Sequence, residues 1–174
     1  RRGYGWSLMS IKRIATIAAL TAIALTIFML EAQIPVIIAV PGVKLGLSNI
    51  VTLIAVYILS KKDAGIILAL RIMLGSIFAG NSMIFLYSAA GGLLSFASVC
   101  LTSSFLREKQ IWAVGVLSAI AHNAAQIAVA ALVMDSLALF WYLPWLIIAA
   151  IITGAFTGLS AQFAVKSLKN TRLR

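Results

Sequence analysis

Long apolar runs recur along this chain from Ile11 to Val165, separated by short polar or basic intervals. Such runs must be covered either by a large protein core or by lipid. The composition removes the first option. Hydrophobic residues make up 63% of the chain and charged residues only 10%, whereas soluble domains average about 45–50% and 25%. A globular protein of 174 residues could not cover its surface with so few charges. The sequence therefore predicts an all-α, polytopic membrane protein.

A helix needs about 20 residues to cross the hydrocarbon core, with a range of about 17–25. Six stretches qualify as spans: Ile11–Leu30, Leu45–Ser60, Ala64–Ala79, Met83–Leu106, Ile111–Met134 and Tyr142–Val165. The second and third are short and are expected to lean on their neighbours. Residues 9–174 are expected to form a single six-helix integral membrane domain. Arg1–Leu8 precede Met9 and are expected to be a cloning scar or a displaced extension. Between the first two spans lies "EAQIPVIIAVPGVKLG", whose apolar piece Ile34–Val40 is bracketed by Pro35 and Pro41. It is too short to cross, and proline disfavours a regular helix through it. The sequence predicts a long outer loop here, packed on the surface or dipping into it as a lid.

The charges set a topology. With six spans, both termini fall on one side, together with Lys12, Arg13, Lys61, Lys62, Arg107, Lys109, Lys166, Lys169, Arg172 and Arg174. The opposite loops hold Lys44 alone among basic residues, and Arg71 lies within a span. This is the positive-inside pattern. It predicts a multi-pass protein of the cell membrane with cytoplasmic termini. The net charge of +10 reflects that topology and does not call for a nucleic-acid partner.

Polar groups inside the spans are costly and mark sites. Arg71 lies eight residues past Asp63, about 12 Å along a helix. Two readings stay open: its side chain snorkels back to the cytoplasmic surface, or it is a buried cation awaiting an anionic partner. No acidic residue lies at the centre of a span, so an internal carboxylate partner is not evident. His122, Asn123 and Gln126 occupy the middle of the fifth span. His122 and Gln126 are four apart and share a face, with Asn123 close to it. Such groups either bond neighbouring helices together or line a cavity.

The small residues are also patterned. Ala15 and Ala19, Ala18 and Ala22, and Gly154 and Gly158 are each four apart, and Gly91 and Gly92 are adjacent. Small-xxx-small faces permit close helix approach. On the first span, a smooth alanine face also suits docking of another protein. None of these glycines forms a phosphate-binding loop. Cys100 is the one cysteine, so no disulfide framework is expected. A lone histidine without nearby acidic or cysteine ligands is a poor metal site. The acidic residues Glu31 and Asp135 fall at outer span ends and Asp63 and Glu108 in basic cytoplasmic loops, and no paired carboxylates or Ser–His–Asp set is visible. Neither enzymatic activity nor a cofactor is expected.

Five stretches occur in an order that resembles a known family: "PGVKLGLSNIVTL" (Pro41–Leu53), "LRIMLGSIFAG" (Leu70–Gly80), "YSAAGGLLS" (Tyr87–Ser95), "AHNAAQIAVA" (Ala121–Ala130) and "YLPWLIIAAIITGAFTGLSA" (Tyr142–Ala161). Together they resemble the Gx transporter family, also labelled heptaprenyl diphosphate synthase component I. Ala125 stands where that family usually shows a glycine. The family in turn resembles the substrate-binding S components of energy-coupling-factor transporters. Those capture a small precursor outside and join a transmembrane coupling subunit and two cytoplasmic ATPases. The resemblance implies a ligand cavity formed by His122, Asn123 and Gln126, with Lys44, Asn49, Arg71, Asn81 and Tyr87 as further candidates, under the Glu31–Gly46 loop. It implies a docking face at Ala15, Ala18, Ala19 and Ala22. The expected ligand is anionic or amphiphilic, an isoprenoid or quinone precursor or a flavin-type compound. Two other classes remain: a non-catalytic membrane accessory subunit of a polyprenyl diphosphate synthase, and a structural partner of a redox complex.

The topology can be tested by labelling cysteines on intact cells. Lys62→Cys and Asn170→Cys are expected to stay unreactive from outside, and rapid labelling of both would overturn the assignment.

Overall fold

The computed structural model describes residues 11–33 and 46–172. The expected extension at Arg1–Leu8, Lys44 and the apolar piece Ile34–Val40 lie outside the described residues. Among the described residues six α-helices follow one another: α1 (Ile11–Glu31), α2 (Asn49–Ile58), α3 (Lys61–Ala79), α4 (Ser82–Thr102), α5 (Ile111–Val133) and α6 (Leu143–Arg172). Short 3-10 turns at Glu108–Gln110 and Leu137–Tyr142 lead into α5 and α6. No strand occurs among the described residues.

The breaks between helices have local causes. Ser60 caps α3, its Oγ accepting from the Asp63 backbone N–H at 3.1 Å. Gly80 ends α3 in the left-handed region, at φ 61°, which glycine adopts without a steric penalty. Asn81 then caps α4 by accepting from the Met83 N–H at 2.8 Å. Polar loop residues thus interrupt apolar runs that would otherwise merge.

Among the described residues, four helical segments, Ile11–Glu31, Ser82–Thr102, Glu108–Val133 and Leu137–Asn170, are long and apolar enough to cross a membrane. The third helix is long, but it carries Lys61, Lys62, Asp63 and Arg71. The second expected span, Leu45–Ser60, is corrected. Its helix has ten residues, which is about 15 Å at 1.5 Å per residue, half of a core about 30 Å thick. This short helix is also the centre of the bundle, packing against each of the other five. Val51 and Ala55 join Ile17, Ala24, Ala64 and Ile67 on one side. Leu53 joins Val99, Ile111, Val114, Ala161 and Val165 on the other. A helix apolar all round belongs in such a core.

Ion pairs and hydrogen bonds fix which helix ends lie together. Arg13 at the start of α1 bonds Asp63 at the start of α3, at 2.6 Å. Lys61 donates to the Cys100 carbonyl near the end of α4, at 2.7 Å. Lys169 in the last turns of α6 pairs with Glu108 before α5. Lys12, Arg13, Lys61, Lys62, Arg107, Lys109, Lys166 and Lys169 therefore gather at one end, as the expected alternation of helix direction requires. At the other end, the Gly46 N–H donates to Glu31 Oε1 at 2.5 Å, tying the turn before α2 to the last turn of α1.

The glycine pattern of α6 serves internal packing. A Cβ on Gly115 would sit 2.5 Å from the Gly154 carbonyl oxygen and 2.6 Å from Gly158 Cα. The backbones of α5 and α6 meet there with no room for a side chain. The outside of the bundle is apolar: Ile77, Phe78, Trp141, Phe156 and Phe163 are all exposed. The inside holds Glu31, Ser48, Asn49, Arg71, His122, Asn123 and Gln126, all buried. This inversion of the soluble pattern is that of a membrane protein.

Candidate ligand-binding site

The buried polar groups meet near the middle of the bundle because α2 is short. Its N-terminal turn ends inside the protein rather than at a surface. There the "GLSN" turn places three residues against α3 and α5. Gly46 adopts φ 76°, and a Cβ there would sit 3.0 Å from Asn49 Nδ2 and 3.2 Å from His122 Cδ2. Glycine is thus required twice, by conformation and by space. Ser48 is the N-cap of α2 but makes no capping bond. Its hydroxyl instead accepts from Arg71 Nη1. Asn49 Nδ2 lies 3.3 Å from His122 Nδ1.

Arg71 projects from α3 into this cluster. It is 3% exposed, and its guanidinium carbon lies 6.0 Å from the centroid of the Phe28 ring. Its bond to Ser48 points it away from the basic end of the bundle, so it does not snorkel to that surface. Glu31, placed by the sequence at an outer span end, is the last residue of α1 and is buried there, accepting the Gly46 N–H. Arg71 Nε and Nη2 have no hydrogen-bond partner. Two charged donors buried without an acceptor are costly.

The fourth helix contributes space rather than side chains. A Cβ on Gly91 would lie 2.7 Å from His122 Cε1 and 3.0 Å from Gln126 Cγ. A Cβ on Gly92 would lie 3.4 Å from Arg71 Nη2. The glycine pair lets His122, Gln126 and Arg71 approach α4.

The expected site residues separate into groups. Asn49, Arg71 and His122 come together, with Gln126 packed beside His122 over Gly91. Asn123 belongs to another face. Its Nδ2 donates to the Leu146 carbonyl of α6 at 3.0 Å, the interhelical role among the two readings above, while its Oδ1 is buried without a partner. One residue on a helix turns the side chain by about 100°, enough to send neighbours to different helices. Tyr87 is buried among Ile127, Ala130 and Leu146. Asn81 is exposed at the α4 cap and stands outside the cluster, beside a surface cleft of about 370 Å³ lined by Met73, Ser76, Ile77 and Phe85. Ala15, Ala18, Ala19 and Ala22 are exposed, because α1 turns Ile17, Thr21, Ala24 and Phe28 inward.

Sequence reasoning missed Ser48 and Glu31. For Ser48 the signal was its place in "GLSN", immediately before a helix whose start was drawn too early. For Glu31 there was none, since a carboxylate at a span end ordinarily faces water. Chemically, the cluster offers a fixed cation with open donors, an imidazole and two amides between apolar walls. That inventory suits recognition of an anionic head group on an apolar ligand.

A family model described as heptaprenyl diphosphate synthase component I matches residues 20–164, taking in most of α1, all of α2 to α5 and most of α6. No curated protein and no solved structure matches the chain.

Proposed function

The chain belongs to the heptaprenyl diphosphate synthase component I family, and from that premise we propose that it is a non-catalytic membrane subunit of a polyprenyl diphosphate synthase. In this reading residues 9–174 form one membrane unit with the basic end in the cytoplasm. That end meets the soluble component that carries out the chemistry. The membrane subunit holds an anionic amphiphile, such as a prenyl phosphate, with its head group at Arg71 and its chain among apolar helix faces. The observation that carries the reading is the buried Arg71 with Nε and Nη2 unpartnered. Asn49, His122 and Gln126 are the neighbouring polar contacts, and Tyr87 and Asn123 brace α5 behind them. A phosphate or carboxylate would satisfy Arg71 through charge-assisted bonds, about twice as strong as neutral ones.

A second reading makes the same cluster the capture site of an energy-coupling-factor S component. The exposed alanine face of α1 favours it, because a smooth face lets another helix dock closely. Co-purification distinguishes the two. A soluble synthase retained by the protein supports the first reading; a coupling subunit with two ATPases, lost in Ala15→Leu with Ala19→Leu, supports the second.

Ligand binding is tested with farnesyl phosphate on purified, monodisperse protein. Arg71→Gln keeps a polar side chain and removes the charge. Losing a buried charged contact costs about 2–5 kcal/mol, so affinity is expected to fall at least about tenfold. Arg71→Lys is expected to recover part of it, lacking the planar fork. Equal affinity in Arg71→Gln and the unaltered chain would remove the anionic-ligand reading.

A further inference from the structure

We propose that Ser48 is a positioning residue, which holds the guanidinium of Arg71 so that its Nε–Nη2 edge is the one offered to a head group with two paired oxygens. The inference rests on the anion-binding role of Arg71 given above and adds which edge binds and what fixes it. A guanidinium has two edges suited to paired oxygens, one formed by Nε and Nη2 and the other by Nη1 and Nη2. In this chain Nη1 donates to the Ser48 hydroxyl. The donors of Arg71 without a partner among the described residues are Nε and Nη2. They share one edge, so the open donors form a side-on fork.

The turn before α2 explains why Ser48 is free for this task. A serine at a helix N-cap ordinarily accepts from an N–H of the first turn. Ser48 makes no such bond. The Ile50 and Val51 N–H groups bond the Leu47 and Ser48 carbonyls instead, at 3.1 and 3.3 Å, which releases the hydroxyl for Arg71. Ser48 is 1% exposed, so no water competes for it. Beside Nη2, the fourth helix carries Gly92, where a Cβ would lie 3.4 Å from that nitrogen and 3.0 Å from Ile72 Cδ1. That donor is thus flanked by backbone rather than by a side chain. A carboxylate or a phosphate monoester places two oxygens side by side and meets such an edge with two parallel charge-assisted bonds. An alcohol offers one oxygen and no charge. Without Ser48, Nη1 becomes a third open donor and the guanidinium plane is free to turn, so the preorganisation of the fork is lost.

The test uses the full chain with farnesyl phosphate, farnesoate and farnesol as probes. On the unaltered chain, the NMR signal of the Arg71 Nε–H is identified by its loss in Arg71→Gln. Both anions are expected to move it downfield, as a new bond to an anionic oxygen does, and farnesol to leave it in place. An Nε–H unmoved by bound farnesyl phosphate overturns the inference, and this reading needs no change at Ser48. Ser48→Ala is expected to bind both anions about tenfold more weakly, the scale of one hydrogen bond to a charged group, with farnesol unchanged. Ser48→Thr keeps the hydroxyl and is expected to restore anion binding. Full anion affinity in folded Ser48→Ala overturns the positioning role, as does an equal loss for farnesol, which would make Ser48 a packing residue only. The two proposals fail differently. If Arg71→Gln binds farnesyl phosphate as the wild type does, the site reading falls. If Arg71→Gln weakens binding but the Nε–H does not respond or Ser48→Ala binds fully, only the role of Ser48 and its edge falls.

Discussion

A guanidinium carried into the protein interior by the middle of α3 must be solvated by protein, and much of this bundle is arranged around that need. The effective penalty for burying an ion is several kcal/mol even after relaxation. Arg71 meets it with a hydroxyl from Ser48 and the face of Phe28. One comes from the turn before α2 and the other from the end of α1. Three elements are consequently tied to one side chain: the end of α1, the turn before α2 and the middle of α3. The arrangement remains incomplete at Nε and Nη2. An arginine retained for stability alone would be better replaced by an apolar residue, so its open donors are the strongest physical pointer to a ligand.

The short α2 makes this geometry possible. A full-length span would deliver its first turn to the membrane surface. A ten-residue helix at the centre of five others delivers that turn to the interior. Irregular backbone at membrane depth is tolerated where protein covers it, and here Glu31, His122 and Asn49 surround Gly46. The apolar remainder of α2 holds the two halves of the bundle together, through Val51 and Ala55 on one side and Leu53 on the other. Structural core and candidate site are therefore successive turns of one segment.

The number, order and approximate limits of the helices were legible because lipid imposes a simple rule on composition. The gathering of basic residues at one end was legible for the same reason. The length of α2 was not, since apolar residues continue through Leu45–Leu47 into the turn, and hydropathy alone does not see Gly46 adopting positive φ. The site was legible as a set of residue types and only partly as an arrangement. Arg71, His122 and Asn49 share one cluster, whereas Asn123 faces α6 and Asn81 caps α4 at the surface. Side-chain direction depends on where neighbouring helices lie, and no single-helix pattern contains that information. Glu31 was misjudged because a carboxylate at a span end ordinarily faces water. Its inward turn follows from the clasp with Gly46, a contact across a loop.

The central claim is that the Arg71 cluster retains an anionic amphiphile. Native mass spectrometry of the protein released from mild detergent tests it most directly, since no ligand need be guessed. The account predicts one acidic, lipid-like mass adduct on the wild-type chain, lost from equally well-folded Arg71→Gln. The same adduct at the same occupancy on both proteins would contradict it.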